Sequence, residues 1–244
     1  MESILLSNTL ITFLSQGIYI KLLHNLIGCW VFKMDNVERI ADDLYFLKYI
    51  HREGNFVGIT VVLGQHAIGL VDTGFEKTIM DSLFPFLQEM GRSLDEITFV
   101  VNTHRDGDHI QGNHVLQEKT KAKIAIHELD ADAVENVDVK LHEGDLVELG
   151  DRTFKVIHVP GHTPGNICLY QAEEKLLIVG DTLCGDRINL IRMDKDIYIN
   201  SIKRLLDLDV NLLIQSHPRK PIEKGVLVGD EPRQMMLASI SLAE

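Results

Sequence analysis

The stretch "NTHRDGDHIQGN", residues 102–113, places His104, Asp106, Asp108 and His109 within six consecutive positions. Imidazole nitrogens and carboxylate oxygens are the usual ligands of Zn²⁺, Fe²⁺ and Mn²⁺. A loop that leaves a buried strand aims alternate side chains at one point, so His104 and Asp106 can share an ion. Asp108 and His109 turn the other way as the next helix starts, and can serve a second ion. Such a centre needs further ligands from elsewhere in the chain. His162 in "VPGHTPGN", Asp181 in "LLIVGDTL" and His217 in "LIQSHPRKP" each stand near the end of an apolar run. Strand ends on one rim of a sheet pair are where separate segments converge on a site.

The elements that must deliver these side chains are legible from periodicity. "LYFLKYI", "FVGITVVLG" and "AIGLVDTG" read as consecutive strands with glycine at the turns. "FEKTIMDSLFPFLQEMG" follows with apolar residues at helical spacing and closes on Gly91. "ITFVVNTH" is an apolar strand that runs directly into His104. A helix over "QGNHVLQEKTK", a strand over "AKIAIH" and a short helix over "ELDADAVEN" come next. In the second half, "DLVELG", "RTFKVIHVP", "NICLYQAEE" and "KLLIVGDTL" read as strands separated by turn residues. "DIYINSIKRLLDLDV" is an amphipathic helix, and "NLLIQSHP" is the final strand, ending at His217. No Pro- or Ser-rich linker divides the halves, so one α/β domain with helices covering two sheets is expected over residues 34–244.

Composition narrows the field. The 244 residues carry a formal net charge of −12, which disfavours sequence-independent binding to nucleic acid. Cys29, Cys168 and Cys184 form no CxxC pair, and the odd count argues against a disulfide framework, pointing to a reducing, cytoplasmic setting. Residues 1–33 form an apolar N-terminal extension, uncharged over residues 3–20 but broken by polar residues and Gly17. It lacks the positive start of a signal peptide, and a membrane span would need a cleaner apolar run. A dispensable extension with a natural start at Met34, a packing or dimerising helix, and a membrane anchor all stay open, with the membrane reading the weakest. The oligomeric state is not legible.

The series "VDTG", "NTHRDGDHIQGN", "VPGHTPGN", "IVGDTL" and "IQSHP" resembles the metallo-β-lactamase-fold superfamily in order and approximate spacing over roughly residues 40 to 220. The resemblance implies a four-layer αββα sandwich with two divalent metal ions at one edge. It implies His104, Asp106 and His162 on the first ion, Asp108, His109 and His217 on the second, and Asp181 bridging. Asp72 in "VDTG" would hold the ligand loop from behind. The family pattern is His-x-His-x-Asp-His, and this chain departs from it at Asp106. Zinc is the first expectation, with iron or manganese as alternatives, because a carboxylate oxygen is harder than an imidazole. His114, His127, His142 and His158 are expected to be ordinary surface or packing histidines, and Met235 and Met236 to pack a helix.

Two close metal ions can share a water and lower its pKa to near 7. The leading reading is therefore a hydrolase that uses a metal-bound hydroxide on an ester, thioester, lactone, amide or phosphodiester of a small-molecule substrate. Asp108 would orient the hydroxide or carry a proton, and Asp181 would bridge. The alternative is a di-iron redox enzyme with an external electron donor, since an acidic residue at the Asp106 position resembles the flavodiiron branch. A binding protein with a degraded metal site is a third reading, disfavoured because Asp106 can still coordinate. Three aspartates set against two dications leave a less positive centre than the usual ligand set, which would raise the pH at which hydroxide forms. "CGDRINLIRMDKD" borders the pocket, with Arg187 and Arg192 expected in a solvated loop rather than on a substrate anion.

Overall fold

The computed structural model describes residues 36–52 and 55–244, so the expectations for residues 1–33 and for a start at Met34 lie outside the described residues. The first sheet runs in sequence order through β1 (Val37–Arg39), β2 (Leu44–Arg52), β3 (Asn55–Leu63), β4 (Ile68–Val71), β5 (Ile97–Val101), β6 (Lys123–His127) and β7 (Val139–Leu141). The second contains β8 (Leu146–Leu149), β9 (Arg152–His158), β10 (Ile167–Gln171), β11 (Leu176–Ile178), β12 (Leu212–Ile214) and β13 (Val226–Val228), in reverse sequence order. Strands β4 to β7 are mutually parallel, as are β11 and β12, and the remaining neighbours are antiparallel.

Period-two alternation decides what each strand face meets. In β2, Leu44 and Phe46 face the second sheet, while Tyr45 and Leu47 face the helices. In β10 the split is Ile167 and Leu169 toward the first sheet, Cys168 and Tyr170 toward the other side. The central layer thus joins Val62, Val71 and Val101 of one sheet to Phe154, Val156 and Ile178 of the other. Phe46 fits because Gly58 leaves room for its ring; a Cβ there would lie 1.9 Å from Cζ. Two outer cores complete four layers, the αββα sandwich. Ile79, Leu83, Phe86 and Leu116 cover the first sheet, and Tyr198, Ile202, Leu205, Met235 and Met236 cover the second.

At the sandwich margin Arg152 bonds both oxygens of Asp43, at 2.7 and 2.8 Å, and also Glu174 at 2.7 Å. Asp43 precedes β2 and Arg152 opens β9, so this ion pair ties one sheet to the other.

Several expectations need correction. The helix predicted over residues 75–91 is three successive segments, Glu76–Thr78, a π-helical Ile79–Leu83 and Phe84–Glu89. The widened turn comes just ahead of Pro85, which lacks an N–H for the α-helical ladder. The short helix after β6 is a 3₁₀ segment, Glu128–Ala133. The strand before His217 is not final, because β13 pairs with it and a helix, Glu231–Ala243, follows. No helix among the described residues is long and apolar enough to cross a membrane.

Candidate metal centre

Every sequence-predicted ligand sits just past a strand, and the two sheets bring those ends together. The loop after β5 carries His104, and Asp106 is the N-cap of the short helix Gly107–Ile110, which carries Asp108 and His109. Asn102 and Asn113, both buried, hold this loop closed: Asn113 Nδ2 donates to Asn102 Oδ1 at 2.8 Å, and Asn102 Nδ2 to the His109 carbonyl at 3.1 Å. His162 lies in the turn between β9 and β10, tied across to the first sheet by Ile167 N–H donating to the Thr103 carbonyl at 2.9 Å. Asp181 follows β11 and His217 follows β12. Before Asp181, Gly180 takes φ +53°, and a Cβ there would stand 2.4 Å from Thr103 Oγ1.

The geometry groups these side chains into three overlapping sets, His104–Asp106–His162, His104–His109–Asp181 and Asp108–His109–His217. Within each, the ligand atoms lie within 4.8 Å of one another. His162 Nε2 is 3.1 Å from Asp106 Oδ2, and His217 Nε2 is 3.2 Å from Asp108 Oδ2. Asp181 Oδ1 lies between His109 Nε2 at 3.6 Å and His217 Nε2 at 3.5 Å.

Whether this cluster fits metal ions is decided by the far side of each imidazole. His109 Nδ1–H donates to Asp72 Oδ2 at 2.8 Å, His162 Nδ1–H to the Leu190 carbonyl at 2.8 Å, and His217 Nδ1–H to the Phe56 carbonyl at 2.8 Å. Thr103 Oγ1 donates to Asp72, so it accepts from His104 Nδ1 at 3.0 Å. With Nδ1 protonated, each Nε2 presents a lone pair. Nε2 of His104, His109 and His217, together with Asp181 Oδ1, is buried without a hydrogen-bond partner. Burying such atoms unpaired costs free energy that a cation at their centre would recover. The residues fit the group.

The electrostatics keep the three carboxylates of the cluster ionised. Burial raises the Asp181 carboxyl, but the charges of His217, His109 and Arg219 outweigh it and hold the group well below the usual carboxylate range. Asp106 is lowered in the same way, burial being overcome by His104, His162 and Arg192. Asp108 falls to about 2, chiefly through His217 acting against burial. Burial pushes His104 down, helped by the charge of His109. His109 itself rises to about 9, because Asp72, Asp181 and Asp108 overcome its burial.

Arg192 corrects one expectation in part. Like Arg187 it lies in an exposed loop as expected, but it also bonds both oxygens of Asp106. Arg219, which sequence reasoning missed, is buried with Nη2 3.2 Å from Asp181 Oδ2. Counting charge on the ligands alone is therefore incomplete, since two guanidinium groups stand against two of the three carboxylates. Asp130 was also missed. Buried after β6, it accepts from Thr163 Oγ1 at 2.5 Å and from the Gly165 amide at 3.0 Å, fixing the turn that carries His162. Nothing local marks Asp130 or Arg219 in the sequence. His114, His127, His142 and His158 belong to none of the three ligand sets; His127 and His158 stack on each other at 4.1 Å.

Comparison with known proteins gives the family and the fold. The Metallo-beta-lactamase superfamily pattern matches residues 56–217, and the chain belongs to that family. A hydroxyacylglutathione hydrolase of Maricaulis maris is 35% identical over 103 residues, 41% of this chain and 40% of the relative. The chain thus spans under half the length of that relative. A metallo-beta-lactamase family protein from Thermus thermophilus has the same fold, with TM-score 0.68, 19% identity and coverage of 83% of this chain and 80% of its own. A mutant flavo di-iron protein from Thermotoga maritima gives TM-score 0.71 at 17% identity, covering 85% of this chain and 62% of its own.

Proposed function

We propose that this chain is a metal-dependent hydrolase of a small acyl compound, with a thioester as the first substrate class to test. His104, Asp106 and His162 would hold one divalent ion, Asp108, His109 and His217 a second, with Asp181 Oδ1 between them. The observation that carries this reading is the set of buried, unpartnered Nε2 and Oδ1 atoms aimed at common points. Two ions there, zinc in the first instance, would supply Lewis acidity and a water acidified to near-neutral pKa.

The chain's own residues supply the rest. Asp72, Leu190 and Phe56 hold Nδ1–H of these imidazoles, so that an arriving cation would take Nε2, displacing a proton there in the case of His109. Arg219 occupies Asp181 Oδ2 and leaves Oδ1 facing the centre. Asp108 is the ligand carboxylate most open to solvent, at 32%, and would orient the attacking water or carry a proton. A cleft of about 300 Å³ lined by Tyr49, His51, Phe75, Glu76, Lys77 and Gln111 reaches the ligand loop through Gln111, two residues past His109. The net charge of −12 supports a small-molecule rather than a nucleic-acid partner, and the free, buried Cys168 and Cys184 suit a reducing compartment such as the cytoplasm.

The relative's name supports thioester hydrolysis. Asp106 favours the di-iron redox alternative, whose fold likeness carries no chemistry at 17% identity. The test is elemental analysis after separate reconstitution with Zn²⁺, Mn²⁺ and Fe²⁺, followed by assays on thioesters, lactones, lactams and phosphodiesters. The hydrolase reading expects about two ions per chain and turnover abolished by chelation. Turnover only with iron plus an added electron donor would replace it with the redox reading, and no bound metal in any arm would overturn both.

A further inference from the structure

Asp106 and Arg192 meet fork to fork, with Nη1 on Oδ1 at 2.8 Å and Nη2 on Oδ2 at 2.7 Å. This two-point contact is the strongest geometry available to an arginine and a carboxylate. The backbone around Arg192 is anchored to the same ligand group. Arg192 N–H and Met193 N–H both donate to the Gly161 carbonyl, at 3.0 and 3.1 Å, and Leu190 accepts His162 Nδ1–H. One short segment therefore grips both Asp106 and the turn of His162. Asp108, the corresponding carboxylate of the other ligand group, has no Arg or Lys ion pair among the described residues; its ion-pair partner is His217.

A carboxylate bound this way delivers an oxygen lone pair without delivering a net charge. We propose that Asp106 and Arg192 act as one uncharged ligand unit, in which Arg192 cancels the charge of Asp106 and thereby sets the cation affinity of the His104–Asp106–His162 group. The proposal rests on the metal-centre reading above. It makes the two ion sites electrostatically unequal, because Asp108 keeps its full charge and Asp106 does not. The group holding Asp106 is then the weaker binder of a dication, and Arg192 is the reason.

The test separates charge from shape by titrating Zn²⁺ into metal-free, full-length protein against a chromophoric chelator, resolving both equivalents. Arg192→Gln removes the charge, Arg192→Lys keeps it without the fork, and Arg192 is half exposed, so both variants are expected to fold. Arg192→Gln should tighten the weaker equivalent by about tenfold or more, since a unit charge a few ångströms from a dication is worth at least that at protein-like screening. Arg192→Lys should stay within about threefold of the parent, and the tighter equivalent should not move in either variant. Asp106→His alone should weaken the same equivalent, and adding Arg192→Gln should restore it. Unchanged or weaker binding in Arg192→Gln, or equal shifts in the Gln and Lys variants, overturns the proposal while leaving the metal centre intact. A parent protein that binds no ion defeats the underlying reading instead.

Discussion

Asp72 and His109 meet at 2.8 Å, carboxylate oxygen to Nδ1, across 37 residues of sequence. The other Asp72 oxygen takes the Thr103 amide at 2.7 Å, so one buried carboxylate fixes both the loop and the imidazole. Asp72 holds φ +61°, a conformation that asparagine tolerates. Asp72→Asn therefore keeps the backbone while removing the charge that keeps the proton on Nδ1. The expected result is a loss of about 10–100-fold in metal affinity at the His109 group, the usual effect of removing such a partner. Competitive metal titration measures it, and unchanged affinity would show that Asp72 only shapes the loop.

Asp130 gives a second prediction. Asp130→Ala leaves the buried Thr163 hydroxyl and Gly165 amide without their acceptor. That should cost at least about 2 kcal/mol of folding stability in metal-free protein. Urea denaturation reads the loss, and a change below about 0.5 kcal/mol, the scale of an ordinary surface substitution, would mean the turn stands without Asp130.

Much of the site was legible because its ligands crowd into short stretches at strand ends, where polarity after an apolar run marks a chain emerging from a core. His104, Asp106, Asp108 and His109 needed no tertiary information to be noticed. Arg192, Arg219 and Asp130 did, because their partners lie 86, 38 and 33–35 residues away and nothing nearby marks the pairing. The strands were equally plain, β9 from its alternation and β2 and β3 from apolar runs buried on both faces. Strands β1, β7 and β13 have only three residues each, too few to show a period. The π-helical turn escaped because its apolar spacing matches that of an α-helix.

Gly180→Ala should also destabilise the protein. The positive φ disfavours any Cβ, and the added methyl would strike Thr103 Oγ1, which itself bonds Asp72 and His104. Strain of about 1–3 kcal/mol is expected, with a fall in thermal midpoint accompanied by weaker metal binding. A fall in midpoint with metal affinity untouched would show that the strain relaxes away from Thr103.

The pair Asp43–Arg152 makes a pH prediction. The hydrogen bond from Arg152, with its charge, lowers the Asp43 carboxyl despite partial burial. A lowered folded-state value stabilises the fold above the unfolded pKa of about 3.9, and that contribution disappears as pH falls through the folded value. Arg152→Met should therefore lower stability near neutrality and flatten its decline below about pH 4. Denaturation midpoints from pH 3 to 7 test this, and parallel pH curves for variant and parent would remove Asp43 from acid sensitivity.

The ligand side chains come from both sheets: His104, Asp106, Asp108 and His109 follow a strand of the first, and His162, Asp181 and His217 follow strands of the second. An ion shared among them would be a cross-link between two halves that otherwise adhere through apolar contact and margin pairs such as Asp43–Arg152. Its binding free energy is then also cohesion between the layers, growing with the logarithm of free metal concentration. Metal scarcity would loosen the sandwich at its functional edge first, so exposure of the strand ends to exchange or proteolysis becomes a gauge of metal supply.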